Sequence, residues 1–442
     1  MDRPRVRVQR AVRDQLEMRA LDLESLIPAN HRARVVWSFV EGLDLGPLYA
    51  EIKAVETQPG RPGIDPPILM TLWLFATLEG VGSARALDRL CREHNAYQWI
   101  CGGVGVNYHS LSDFRVRHIE FLDDLLTRSV AALMMAGTVT LNRVAQDGVR
   151  VRANAGSGSF RRRKRLHKFL QMADQQVRRL RQELEEDPAA SENRQQAAKR
   201  RAASERQERV GQALAEMQQI EDQYAARDAH GHKRKKPPPG GTGSPPQDKR
   251  EPRVSTTDPQ ARTMKGADGG FRPSYNVQFA TDVASGIVVG VDVVNRGVDW
   301  EEMPPMVDQM QQRYGRVPAQ VLVDGGFARF DSVIATAKRG SEVYAPLPSP
   351  KNAKLAPHQP RPKEPPELTQ WRLRMATEEA KQIYRQRAAS AEWVNAQARN
   401  RGLRQFLVRG IAKTKAVVLW HALAHNLMQL PNLTPTPNLP DR

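Results

Sequence analysis

Residues 320–340 read QVLVDGGFARFDSVIATAKRG. An apolar run ends on Asp324, two glycines follow, and a segment with helical spacing begins. Asp-Gly is a common turn signal and often joins the two strands of a hairpin. No matching strand follows this one. Strand, turn and helix in that order place Asp324 at the carboxyl end of a sheet strand, where α/β proteins gather functional groups. Gly325 and Gly326 then allow close approach of backbone or ligand.

Working outward, SEVYAPL (341–347) reads as a further strand. A proline-rich loop (346–366) leads to a long helix over about 368–401 and another over about 404–430. Upstream, DWEEMPPMVDQMQQRYG (299–315) reads as a helix opened by Asp299 and Glu302 at capping-box spacing and closed by Gly315. FRPSYNVQFATD (271–282) and SGIVVGVDVVN (285–295) read as strands joined by a turn at Asp282 to Gly286. RVAQDGVRVRAN (143–154) alternates as a strand does. Three antiparallel strands, then helix, strand, helix, strand and helix predict a mixed α/β sheet with helices on its faces.

The segment from Arg161 to Arg227 falls between the first and second strands. Leu166, Leu170, Ala173, Val177, Leu180 and Leu184 repeat at heptad spacing, as do Val210, Ala213, Met217, Ile220 and Tyr224. Asp187-Pro188 interrupts the run, so the spacing predicts an antiparallel helical hairpin. It opens on a basic run that includes Arg161, Arg162, Arg163 and Lys164. It closes on GHKRKKPPPGGTGSPPQDKR (231–250), whose composition is that of a disordered linker. The arm reads either as a DNA contact or as a solvated coiled coil, and the basic run favours DNA. Residues 1–140 read as helical, with PPILMTLWLFATLEG (66–80) buried and Ser83 capping the next helix. Arg85, Arg89, Arg92, Arg115 and Arg117 fit a helix-turn-helix-like DNA reader or the solvated face of a bundle.

The 442-residue chain carries 67 Lys and Arg against 49 Asp and Glu, a net charge of +18. That balance implies a polyanionic partner. The most apolar stretch, AVVLWHALAHNLMQL (416–430), is too short to span a membrane and carries His421 and His425. No apolar region follows the basic N-terminus, and the two cysteines form no disulfide framework, so a cytoplasmic location is expected.

The carboxylates carry the chemistry. If 143–153 is one strand, Ala145, Asp147, Val149, Val151 and Ala153 share a face, and Asp147 is its one charge. A buried carboxylate is costly without a cation. On the long helix, Arg385 and Arg399 lie seven positions either side of Glu392, within about 20° of one face, with Tyr384 nearby. Arginines grip phosphate while an acid helps to hold a metal; ordinary surface ion pairs are the bland reading. Carboxylates converging from separate elements suit Mg²⁺, which keeps waters and binds phosphate oxygens. There is no phosphate loop ending in Lys-Ser/Thr. Cys91, His94, Cys101 and His109 match no common zinc spacing. His421 and His425 lack the acid of a zinc protease helix and read as core histidines.

These residues resemble the DDE transposases of bacterial insertion sequences, in the group with an InsH-type helical N-terminal domain. AQDGVRVRANAG resembles the first-acid motif, on Asp147, and VLVDGGFAR the second, on Asp324. STTDPQARTMKGADGGFRPSYNVQ resembles the stretch leading into the second strand. The run from Tyr384 to AHNL resembles the Tyr…Arg…Glu…Lys signature helix, on Tyr384, Arg387, Glu392 and Arg399, with Arg399 where the family usually has Lys.

The resemblance implies a ribonuclease H-like catalytic domain over 141–430, interrupted by a hairpin (160–228) and a linker (229–252). A DNA-binding domain (1–140) precedes it and a flexible tail (431–442) follows. It implies metal-dependent cleavage and strand transfer, with Asp147, Asp324 and Glu392 holding Mg²⁺, or Mn²⁺ in its place, as two ions. Tyr384, Arg387, Arg399 and Arg385 would contact DNA, as would the Arg161–Lys164 run. The implied partners are terminal inverted repeats, target DNA and a second copy of the chain, with no membrane and no small-molecule cofactor. A nuclease of the same fold and a DNA-binding protein without catalysis are the alternatives.

Overall fold

The computed structural model describes residues 22–54, 62–186, 194–229, 251–349 and 356–433. The Asp187-Pro188 break, most of the 229–252 linker and most of the 431–442 tail lie outside them.

Strand β1 (Arg143–Arg152) pairs antiparallel with β5 (Phe271–Asp282) almost end to end, from Val144 opposite Asp282 to Arg152 opposite Ser274. Asp147-Gly148 therefore runs straight through a strand and makes no turn. Two short strands, β2 (Phe160–Arg161) and β3 (Val254–Ser255), form a separate ribbon where the arm leaves the sheet. Strands β4 (Arg262–Lys265) and β6 (Val288–Val294) share the far side of β5. On the near side, β7 (Gln320–Leu322) is parallel to β1, and β8 (Glu342–Tyr344) is parallel to β7. The result is the mixed sheet that the alternation predicts, with β4 added. That strand closes through Gly266–Gly270, where Gly269 has φ +79°, a conformation that costs a residue without Cβ little.

The edge strand β6 is covered by side-chain amides. Asn426 accepts from Val288 N at 2.8 Å and donates to its carbonyl at 2.9 Å; Gln309 does the same for Val291, both bonds at 3.0 Å. The edge is thus blocked at Val288 and Val291 against pairing with another strand.

Among the described residues seven α-helices precede the sheet: α1 (Arg32–Glu41), α2 (Gly46–Ala50), α3 (Pro66–Leu78), α4 (Ala84–Glu93), α5 (Asn95–Cys101), α6 (Tyr108–Arg117) and α7 (Ile119–Met135). As the all-round apolar pattern requires, α3 is buried along nearly its whole length. Ser83 caps α4 by accepting from Ala86 N. Arg115 is not available to DNA. It is 8% exposed, lies over the Trp73 ring and donates to the Gly82 carbonyl. Arg89, Arg92 and Arg117 form i,i+4 pairs with Glu93, Asp88 and Asp113. The C-terminal helix α15 (Ile411–Leu433) packs against α3, α6, α7 and β6. One continuous apolar core thus joins helices and sheet.

The arm consists of α8 (Arg163–Glu186) and α9 (Arg194–Ala229). Asp174 meets Gln207 and Arg163 meets Glu221, a falling register that makes the pair antiparallel. Leu166, Ala173, Val177, Val210, Ala213, Met217 and Ile220 of the heptad seam are buried.

Two helix readings need correction. Helix α10 (Met303–Tyr314) ends at Gly315 in the left-handed region, as expected, but no side chain caps its start. Asp299 is drawn instead to the sheet, where it accepts from Asn276, Gln278 and Arg150. The long helix over 368–401 is three helices: α12 (Pro366–Ala376), α13 (Glu378–Arg387) and α14 (Trp393–Asn400). Thr377 breaks the first junction in extended conformation and caps α13 through Ala380 N. A π-helical turn over Ala388–Glu392 makes the second. Residues 404–410 are not helical; there the chain runs beside the end of β1, with Phe406 N bonded to the Arg152 carbonyl at 2.8 Å.

Candidate active site

The alternation of β1 sends Asp147 and Gly148 to opposite faces. On the Gly148 face lies a buried polar layer. Asp299 Oδ1 accepts from Asn276 Nδ2 at 2.7 Å and Gln278 Nε2 at 2.9 Å, and its Oδ2 from Arg150 Nη2 at 2.8 Å. A Cβ on Gly148 would sit 2.5 Å from Gln278 Nε2, 2.9 Å from Asn276 Oδ1 and closer still to Asp299 Oδ1. Glycine follows Asp147 because a carboxylate occupies the space where a side chain would go.

On the other face Asp147 is half-buried. Its Oδ1 accepts from Gly148 N at 2.9 Å, and its Oδ2 accepts from Asn395 Nδ2 at 2.9 Å. The Arg387 guanidinium is 3.9 Å from the same Oδ2 and donates to Glu392 Oε1 at 2.7 Å. Arg387 therefore stands between the first and third acids. Asp324 lies two residues past the end of β7; its Oδ1 accepts from Gly326 N at 2.7 Å, so the Asp-Gly signal does make a local turn there. That turn leads into helix α11 (Phe330–Lys338), not into a hairpin. Burial pushes the Asp147 carboxyl above its ordinary value. Arg387 opposes this, the Asp324 charge adds to it, and the Gly148 and Asn395 bonds oppose it. Burial likewise raises the Tyr384 hydroxyl; Arg387 opposes that and the Asp324 and Glu392 charges add to it. Asp147, Asp324, Glu392, Tyr384 and Arg387 thus lie within electrostatic reach of one another.

The π turn brings Arg387 to Glu392. At about 100° per residue, positions five apart on an α-helix diverge by about 140°. A turn bonded i to i+5 returns them toward one side. Extrapolating a regular helix through this point instead selects Arg385 and Arg399. Both are exposed, and among the described residues neither pairs with Glu392. The structure also adds Asn395, which sequence reasoning missed; it is 1% exposed and lies three residues after Glu392. Residues three apart on a helix share a face, so the junction of the π turn with α14 delivers a carboxylate and a carboxamide together.

The arm's basic run is largely engaged within the chain. Arg161 donates to the Phe160 carbonyl at 3.0 Å and lies over the Phe169 ring. Arg162 pairs with Glu251 at 3.4 Å, and Arg163 with Glu221. Lys164 is exposed. Among the described residues no three His, Cys, Asp or Glu side chains stand close enough to surround a metal ion by themselves. Nor is any helix among them long and apolar enough to cross a membrane. His94 caps α5, and His421 and His425 are buried in the core, as expected of them.

No curated protein and no solved structure matches the chain. Two family models do. Residues 21–117 match a transposase domain (DUF772), and residues 351–431, which contain Tyr384, Arg387, Glu392 and Asn395, match a transposase DDE domain. With a transposase domain towards one end and a DDE domain towards the other, on a mixed sheet of ribonuclease H type, the chain is a DDE transposase of the insertion-sequence kind.

Proposed function

We propose that this transposase binds the ends of its insertion sequence and carries out metal-dependent cleavage and strand transfer at Asp147, Asp324 and Glu392. The observation that carries the reading is the Arg387 guanidinium standing between Asp147 of a central strand and Glu392 of a helix, with the Asp324 charge at a strand end within reach of Asp147. DDE transposases as a family use divalent metals, and the donor set fits one. It is all oxygen, it includes a carboxylate that burial and a like charge make costly, and Mg²⁺ needs only a few such ligands. The three acids do not close around an ion unaided, so phosphate oxygens and water would complete the shell. The ions would lower the barrier by activating the attacking oxygen and steadying the leaving one.

The chain's own residues do the rest. Gly148 N and Asn395 orient the Asp147 carboxylate. Arg387 holds Glu392 and offers a planar fork to a phosphodiester. Tyr384 packs beside that fork, its ring 5.9 Å from the Arg387 carbon. Arg385 and Arg399, exposed on the same helical stretch, and Lys164 at the base of the arm are proposed DNA contacts. The helical region over 1–140 and the arm are proposed to hold the terminal repeats, and a dimer on DNA to bring two ends together.

The test is cleavage and joining of a DNA fragment carrying the element's end, with Mg²⁺ or chelator, for wild type and Asp324→Asn. Metal-dependent joining that the variant loses supports the reading. Cleavage without joining favours a nuclease, and joining by the variant removes Asp324 from the site.

A further inference from the structure

We propose that Asn395 is a positioning residue that fixes the Asp147 carboxylate for its metal, an inference that rests on the reading above. The carboxamide donates from Nδ2 to Asp147 Oδ2 at 2.9 Å, while Gly148 N takes Oδ1 at 2.9 Å. With one bond on each oxygen the carboxylate cannot rotate freely. A carboxylate has about four lone-pair sites, so both oxygens keep capacity for an ion.

Two further observations tie Asn395 to a ligand and not to packing alone. It is 1% exposed, yet its Oδ1 is buried without a hydrogen-bond partner among the described residues, and Arg387 Nη1 beside the same Asp147 oxygen also makes no hydrogen bond there. An acceptor and a donor thus stand at one carboxylate without hydrogen bonds of their own, the donor at ion-pair distance from it. A buried polar atom without a hydrogen bond is costly. Such groups are found where something else completes the set, and a water carried on an ion next to a phosphate would supply both a donor and an acceptor. The second point is placement. Asn395 follows Glu392 by three residues on the helix that the π turn re-aims, so the turn that delivers the third acid also delivers the group that holds the first.

Groups that hold a metal ligand in place typically change metal affinity by about 10–100-fold when removed. The experiment is Mn²⁺ titration by calorimetry on the full chain bound to a pre-cut element end without target DNA, corrected for the DNA alone, for wild type, Asp147→Asn, Asn395→Leu and Asn395→Gln. Leu keeps the volume and removes the donor; Gln keeps a donor. The expected result is 10–100-fold weaker Mn²⁺ binding in Asn395→Leu, partial recovery in Asn395→Gln, and thermal unfolding close to wild type in both. In the joining reaction kcat should fall while KM for DNA stays. Asn395→Ala takes the place of Asn395→Leu if the latter does not fold. Wild-type affinity in a folded donor-less variant overturns the proposal. Equal Mn²⁺ binding by wild type and Asp147→Asn would instead overturn the metal-site reading beneath it, so the two failures are distinguishable.

Discussion

Gly148→Ala tests the packing behind the first acid. The new Cβ would lie within 2.5 Å of Gln278 Nε2 and nearer still to Asp299 Oδ1, where ordinary contact begins at 3.4 Å. The Asp299 carboxylate would have to retreat by roughly 1 Å, enough to stretch bonds that now measure 2.7, 2.9 and 2.8 Å to Asn276, Gln278 and Arg150. Overpacking of this kind costs about 1–3 kcal/mol, and loosening a buried charged acceptor adds about 1–3 kcal/mol. The expected loss is therefore about 2–6 kcal/mol, a large share of the roughly 5–15 kcal/mol that holds a domain folded. Urea unfolding at pH 7.5 measures it. Gly325→Ala, where a Cβ would meet nothing within 4 Å, serves as the control and should unfold like wild type. In an Asp299→Ser background the Gly148→Ala penalty should shrink, because the clashing oxygen is gone; coupling of this kind is read from the double-mutant cycle. A penalty under about 0.5 kcal/mol, the usual range of a surface change, would refute the reasoning. So would an undiminished penalty in the Asp299→Ser background.

Three further outcomes are expected. Burial lowers His421 to about 3 and His425 to about 4. Both are neutral in the fold while the unfolded chain takes up protons near 6.5. Their contribution is complete above that pH and is lost as pH falls toward 4, by up to about 1.4 kcal/mol per pH unit for each histidine. Urea midpoints between pH 7.5 and 5 should fall accordingly, and His421→Leu should flatten the slope; a slope unchanged in that variant would count against the assignment. Gly326→Ala puts a Cβ 2.9 Å from Asp324 Oδ1 and should lower joining at least tenfold with little change in melting, whereas unaltered joining would mean that the Asp324 turn does not set its carboxylate. Arg387→Lys keeps the charge and loses the fork; joining should fall about 10–100-fold, and full activity would show that a point charge suffices.

The strands were legible because their chemistry is local. Val149 and Val151 alternate with Arg150 and Arg152, and Asp324 precedes a helix, so β1 and the βα turn follow from pattern. What escaped depends on partners distant in sequence or on a change of helical period. Asp299 and Glu302 have capping spacing, but Asp299 binds Asn276 and Gln278, and no local rule contains that choice. Arg385 and Arg399 were selected over Arg387 as Glu392's neighbours because a constant 100° per residue fails across a π turn. Asn395 has regular i,i+3 spacing from Glu392, but its bond to Asp147 joins residues far apart in the sequence, which no local pattern contains. Other misses had a signal. Thr377 followed by Glu378 and Glu379 is an N-cap with an acidic first turn, and Asp268-Gly269 marks the hairpin between β4 and β5.

The last helix has a consequence for how the chain is made. The ring nitrogen of Trp420 donates to the Arg115 carbonyl at 3.0 Å, and Asn426 closes the backbone of Val288. A ribosome that has completed every residue up to Gly410 has therefore produced both an open helical cluster and an open sheet edge, each awaiting the same segment. Neither half buries its full apolar face until that segment arrives. A copy of the element with a stop codon before Ile411 would then yield a product for proteolysis, not a stable fragment able to sit on the element's ends and block intact protein.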